Sequence, residues 1–187
     1  MSKDELEKGK IADALVRLGD TDATYWNYLV TQATAAIDSD MPLSIAFDAK
    51  GKPIPGQISP EFTAWVKAHD MSLGEAANQV AFLPIRVTFL AETGDKRGVP
   101  LLRRALQSKN PMIVVMAAKG LALAKDKDSI PLIIDACKRS AWPPAPIAES
   151  LIFFDDPLAQ READTFLPQD SARSLRDGRA KGATPFY

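Results

Sequence analysis

"GDKRGVPLL" (Gly94–Leu102) is followed one helical hairpin later by "KDKDSIPLI" (Lys125–Ile133). Aligning Leu90–Leu106 with Leu121–Cys137, an offset of 31, gives identity at seven of seventeen positions. Most apolar mismatches are conservative: Val99 with Ile130, Leu102 with Ile133, Leu106 with Cys137. Self-similarity at this period predicts stacked supersecondary units. Each unit reads as two helices. Asp95 and Asp126 fall between helical runs and are expected to act as N-caps. Pro100 and Pro131 fall near the start of the next helix, where a missing N–H costs least. Apolar residues then recur at three and four, the spacing of one helix face.

The second helix of the better copy is expected from Met112 to about Ala124. It is apolar nearly all round, as in a helix sandwiched between neighbours. Ala117, Ala118 and Gly120 would let those neighbours approach closely. Weaker echoes flank the pair. "AESLIFFDD" (Ala148–Asp156) follows "AKGLALAKD" (Ala118–Asp126) at an offset of 30, and "LVRLGDTDATYW" (Leu15–Trp26) carries the same helix–Gly-Asp–helix punctuation. Degenerate terminal copies are expected where they cap a stack.

Val99–Ile134, "VPLLRRALQSKNPMIVVMAAKGLALAKDKDSIPLII", resembles the HEAT repeat in its short bacterial, phycobilisome-lyase-like form. The matching positions are Pro100, Leu101, Leu102, Asn110, Pro111, Ala117, Ala118, Leu121 and Asp126. The departures are Val114, where the family usually carries an arginine that ties neighbouring repeats together, and Gly120 and Lys125. The likeness is strongest over about residues 82–139. It implies an all-α, right-handed α-α solenoid of HEAT-like helical hairpins. It implies little about activity, because one fold hosts many functions.

Residues 41–58, "MPLSIAFDAKGKPIPGQI", break the pattern. Ser44–Phe47 alternates and is β-prone, "DAKGK" (Asp48–Lys52) is a turn, and Lys52–Ile54 can return as a second strand. A small β-hairpin or ordered loop is expected here, packed on the helices because two strands alone are marginal. "SPEFTAWVKAH" (Ser59–His69) reads as a helix with Ser59 as cap and Pro60 first. Ser72–Glu92 reads as a longer helix or broken pair, with Pro84 as the kink or break. "AWPPAP" (Ala141–Pro146) is expected to be extended or turn-like. The expected organisation is one domain over residues 1–168. A polar, mobile tail is expected over 169–187, with Phe186 and Tyr187 undocked.

The chain has 187 residues, enough for one sizeable core, and a formal net charge of −1. That balance argues against a strong polyanion binder. The charge is unevenly placed: Lys and Arg against Asp and Glu count 8 to 13 over residues 1–94 and 15 to 11 over 95–187. A lone cysteine, Cys137, excludes an intramolecular disulfide and a cysteine zinc site. No run reaches membrane-spanning length, and the charged N-terminus lacks the apolar core of a signal peptide, so the default expectation is cytoplasmic.

Candidate chemistry is sparse. His69 is the only histidine, with no partner placed near it. The pairs Asp20/Asp22, Asp38/Asp40 and Asp126/Asp128 suit caps better than an EF-hand-like site. Cys137 aligns with Leu106 and is expected in the core. Lys96, Arg97, Arg103, Arg104, Lys109 and Lys119 form a basic cluster, read first as a solvated face. Trp26, Trp65 and Trp142 are scattered, and one exposed in a groove would anchor a partner. No Gly-rich phosphate loop, catalytic triad order or metalloprotease helix is present.

The expectation is therefore a non-enzymatic protein–protein or peptide interaction or scaffold module with no cofactor or metal, no membrane and no nucleic acid. Second helices usually line the concave side of HEAT arrays. On that ground, and from the insertion, the expected partner-binding residues are Arg86, Lys119, Asp48 and Lys50. The alternatives are a bilin-lyase-like chromophore enzyme, suggested by the family alone, and a nucleic-acid binder akin to HEAT-like DNA glycosylases.

Overall fold

The computed structural model describes residues 3–48, 52–140 and 142–186. The chain is mostly helical with one small antiparallel sheet. α1 (Lys3–Arg17) and α2 (Ala23–Ile37) form the first hairpin, and strands β1 (Ile45–Phe47) and β2 (Pro53–Ile58) follow. α3 (Pro60–Ala68) and α4 (Leu73–Glu92) come next, then α5 (Val99–Ala105) and α6 (Pro111–Leu123), then α7 (Ile130–Arg139). α8 (Ala145–Ala148) continues as a 3-10 turn over Glu149–Phe153, and α9 (Pro157–Phe166) and α10 (Gln169–Ala180) complete the chain. No helix among the described residues is long and apolar enough to cross a membrane.

The helices start and stop where local chemistry directs. Asp22, Ser59, Ser72, Asn110 and Asp156 each accept a first-turn backbone N–H, satisfying donors that a helix leaves orphaned. Proline occupies the first turn of α3, α5, α6, α7 and α9. α1 ends in a Schellman turn, with Gly19 at φ 85°, Gly19 N–H on Val16 O and Asp20 N–H on Leu15 O. The same turn closes α6 with Lys125, a non-glycine residue, at φ 55°.

The most extensive packing joins α2 to α4 and α4 to α6, and α6 continues onto α8 and its 3-10 extension, which in turn meets α9 and α10. α6 is the centre of this row. Ile113, Val114, Val115, Ala117, Ala118, Gly120, Leu121 and Ala122 are all buried along it. A methyl group on Gly120 would lie 2.6 Å from Ala91 Cβ and 2.9 Å from Leu102 Cδ1, so the close approach of α4 and α5 needs glycine here.

The repeated segment diverges at its turn. Asp95 caps as expected, accepting from Arg97 N–H at 2.8 Å, and the Arg97 guanidinium stacks 4.2 Å over Trp26. Asp126 makes no capping bond. Its carboxylate is held instead by Arg103, with Nη2 at 2.8 Å and Nε at 3.0 Å, and by the hydroxyl of fully buried Ser129. This ties one copy of the repeat to the next.

Of the two readings for Ser72–Glu92, the single longer helix holds: α4 runs through Pro84 without a break. Burial of Val80, Leu83, Val87, Leu90 and Ala91 between α2 and α6 outweighs the ~3 kcal/mol that an interior proline costs. The segment after Pro168 is not a loose tail. It forms α10, whose Arg176 and Arg179 bond Gln160, Ile152 and Phe154 across the last hairpin. Phe186 packs against the core and Pro185 is buried, so the segment is docked; Tyr187 lies outside the described residues. The downstream echo of the repeat is a single α-turn followed by 3-10 helix.

Candidate functional site: the cleft beside the β-hairpin

β1 and β2 pair with Ile45 opposite Ile58 and Phe47 opposite Pro53. Asp48 closes the turn: its N–H donates to Lys52 O and its Oδ1 accepts from Lys52 N–H, both at 2.9 Å. Ser59 N–H bonds Ser44 O at 3.0 Å and fastens the base of the hairpin to the start of α3. Ala46 and Met41 are buried, which seats the hairpin on the helices.

Between the hairpin and the α5–α8 edge lies an open cleft of about 830 Å³. Leu43, Ile54, Leu106, Val114 and Ile147 supply apolar lining. Phe47 and Trp142 face each other at 4.9 Å between ring centroids, tilted by 49°, within the favourable range for an aromatic pair. Gln57, Ser59, Glu61, Gln107, Ser108, Lys109, Arg139 and Ser140 supply polar groups. Glu61 accepts the Ser59 hydroxyl at 2.8 Å, and Arg139 donates to Asp135 at 2.6 Å. Lys109 is exposed and makes no ion pair among the described residues.

Of the residues expected to bind a partner, Arg86, Lys119 and Asp48 do not line this cleft. Arg86 sits half-buried on α4, close enough to Tyr28 of α2 to act on its phenol electrostatically, with its Nε buried and unbonded. Lys119 sits half-buried on α6. Asp48 serves the hairpin turn, and Lys50 lies outside the described residues. Three members of the basic cluster are neutralised in place: Arg97 is paired with Asp95, Arg103 with Asp126, and Arg104 with Asp38 at 2.8 Å.

Cys137 is buried, and burial pushes its thiol up to about 12, away from nucleophilic use. His69 ends α3, bonds Trp65 O through Nδ1 at 2.8 Å and stacks on the Trp65 ring at 3.8 Å. Of the aspartate pairs, Asp20 and Asp22 accept backbone N–H groups, Asp38 pairs with Arg104, Asp40 accepts the Trp65 indole N–H, and Asp126 and Asp128 face Arg103. Comparison of the chain with protein-family models, curated proteins and solved structures found no match.

Sequence reasoning named Trp142 and Lys109 without joining them, and it passed over Phe47 and Arg139. The signal available was the β-prone insertion followed much later by "AWPPAP". Which strand face meets which helix edge is not written in either stretch.

Proposed function

We propose that this chain is a short α-α solenoid of HEAT-like hairpins that binds an extended segment of another protein, without catalysis, in the cleft beside the β-hairpin. The observation that carries the reading is the aromatic pair Phe47–Trp142 set in an apolar cleft of about 830 Å³. Rigid aromatic side chains give large contact area at low entropic cost, and a polar rim around an apolar floor is the usual anatomy of a peptide site. Two further features support the stacked-hairpin part: the sequential packing of α2, α4, α6 and α8, and the left-handed turn residue that closes α1, α4 and α6.

Selection of a peptide library against the wild-type protein, followed by affinity measurement of the enriched peptides on Trp142→Ala, tests the reading. Enriched peptides should bind wild type and lose at least ~10-fold in affinity with Trp142→Ala, the cost of a central aromatic anchor. Arg86→Glu and Lys119→Glu, which lie off the cleft, should leave that affinity unchanged. A library that yields no binder, or binders indifferent to Trp142→Ala, sinks the proposal.

A further inference from the structure

The C-terminal end of α6 carries a second surface, about 20 Å along the helix from the end that borders the cleft. Residues 183–186 cross it. On one side they border a cavity of about 550 Å³ with Leu123, Lys125, Lys127, Phe153 and Arg179. On the other they border one of about 350 Å³ with Arg17, Glu92, Gly94 and Leu123. Leu123 and Thr184 belong to both, so the segment lies in one groove and divides it. Ala183, Thr184 and Pro185 border the cavity on the α10 side, and Thr184 and Phe186 border the one at the ends of α1 and α4.

From this geometry we infer that the groove is a docking site for a partner peptide with acidic residues just before a Pro–Phe pair, and that residues 183–186 hold the place of that peptide in the free protein. The Pro–Phe part is read from the resident segment: Pro185 is buried and Phe186 packs on the core. The acidic part follows from charge. Lys125 and Lys127 border the larger cavity, are exposed, and make no ion pair among the described residues. Arg179 on the same wall is held by Ile152 O at 2.8 Å and Phe154 O at 2.9 Å, and Asp155 stands 3.8 Å from it. The resident segment itself, Ala183 to Phe186, carries no acidic side chain to set against these lysines. A partner with carboxylates in that place would complement the wall, and the unfilled volume on both sides leaves room for it. The resident segment competes as a tethered ligand at high local concentration.

The test is fluorescence anisotropy of a labelled peptide, Asp-Glu-Asp-Ala-Thr-Pro-Phe, titrated with the full chain. Phe186→Ala and, separately, Pro185→Gly vacate the groove, with circular dichroism and thermal melts confirming the fold. Both variants should bind at least ~10-fold more tightly than wild type, and adding Lys125→Glu and Lys127→Glu should remove that gain. The same peptide ending in Ala should not bind. No binding to either vacated variant overturns the inference, as does binding indifferent to the charge reversals. Trp142→Ala should leave the affinity unchanged, which separates this groove from the cleft beside the hairpin. Loss of binding with Trp142→Ala would place the peptide in that cleft and overturn the groove.

Discussion

Asp13 on α1 is a carboxylic acid in an unfavourable place. It is 6% exposed, its Oδ1 is buried with no hydrogen-bond partner, and Arg17 reaches Oδ2 at 3.6 Å. Burial raises its pKa from 3.8 to about 6, with Arg17 opposing and the nearby Glu92 of α4 adding to the rise; α2, the other helix against α1, carries no charged residue. The folded state thus holds the Asp13 proton more tightly than the unfolded chain. The stability this confers is full below pH about 4 and is lost as pH rises through about 6. The ionised side chain costs about 3 kcal/mol at neutral pH. Asp13→Asn should raise stability by roughly 1–3 kcal/mol at pH 7.5 and by little at pH 4. Urea melts of both proteins across that range check it, and a constant difference at all pH values would refute the assignment. The Arg103 pair makes a contrasting case. Arg103→Ala should cost about 1–3 kcal/mol because it strips a part-buried bidentate bond from Asp126. Arg104→Ala removes a pair whose side chains are both more than half exposed and should change stability by under about 0.5 kcal/mol in the same melts.

At the scale of the element, the two copies of the repeat close their preceding helices with different residues in the same conformation. Gly94 takes φ 61° and Lys125 takes φ 55° at the equivalent position. A side chain in the left-handed region is strained where glycine is not. Lys125→Gly should therefore stabilise the protein by about 0.5–1 kcal/mol, read as a rise in melting temperature. A fall would mean that the lysine side chain contributes more than its backbone costs. Gly120→Ala argues the opposite way. Its methyl would sit 2.9 Å from the Ala91 backbone, which cannot swing aside, and α4 and α6 would have to separate. A loss of about 2–4 kcal/mol is expected, measurable in the same melts. Little of this appears in propensities. Pro84 leaves a longer helix and a broken pair both open in the sequence, and packing on both faces of α4 decides for the continuous helix.

At the scale of the molecule, the hairpin decides where the cleft is. Its contact across the cleft is Phe47 on Trp142, between residues 95 positions apart in sequence. Phe47→Ala should open the cleft on that side and weaken any peptide that depends on Trp142, while the helical core far from the hairpin stays intact. Peptide affinity measured beside far-ultraviolet circular dichroism separates those effects. Equal loss of helix and binding would mean that the hairpin supports the fold and not the site. The α10 region belongs to this scale too. "QDSARSLRDGRAKGATPFY" is polar enough to read as a loose tail, yet Ala172 is buried, Arg176 and Arg179 bond carbonyl groups of the preceding elements, and Phe186 reaches the ends of α1, α4 and α6.

Features governed by short-range physics could be read along the chain. The helical hairpins were legible from apolar residues three and four apart, and helix starts from Asp95 and Ser59, though not from Asp126. The insertion was legible from alternation and a Gly-Lys turn, and Cys137 could be placed in the core by alignment with Leu106. These depend on a residue and its neighbours within one or two turns of chain. The contacts between distant segments were settled by packing in three dimensions. They are Arg103 on Asp126 in place of a cap, an aromatic pair from the insertion and the α7–α8 loop, a carboxylate at position 13 trapped between helices, and a terminal segment laid across three helix ends. Each is set by the distance and angle between packed elements. A pattern read along one element constrains which face is buried, but it does not specify what that face meets.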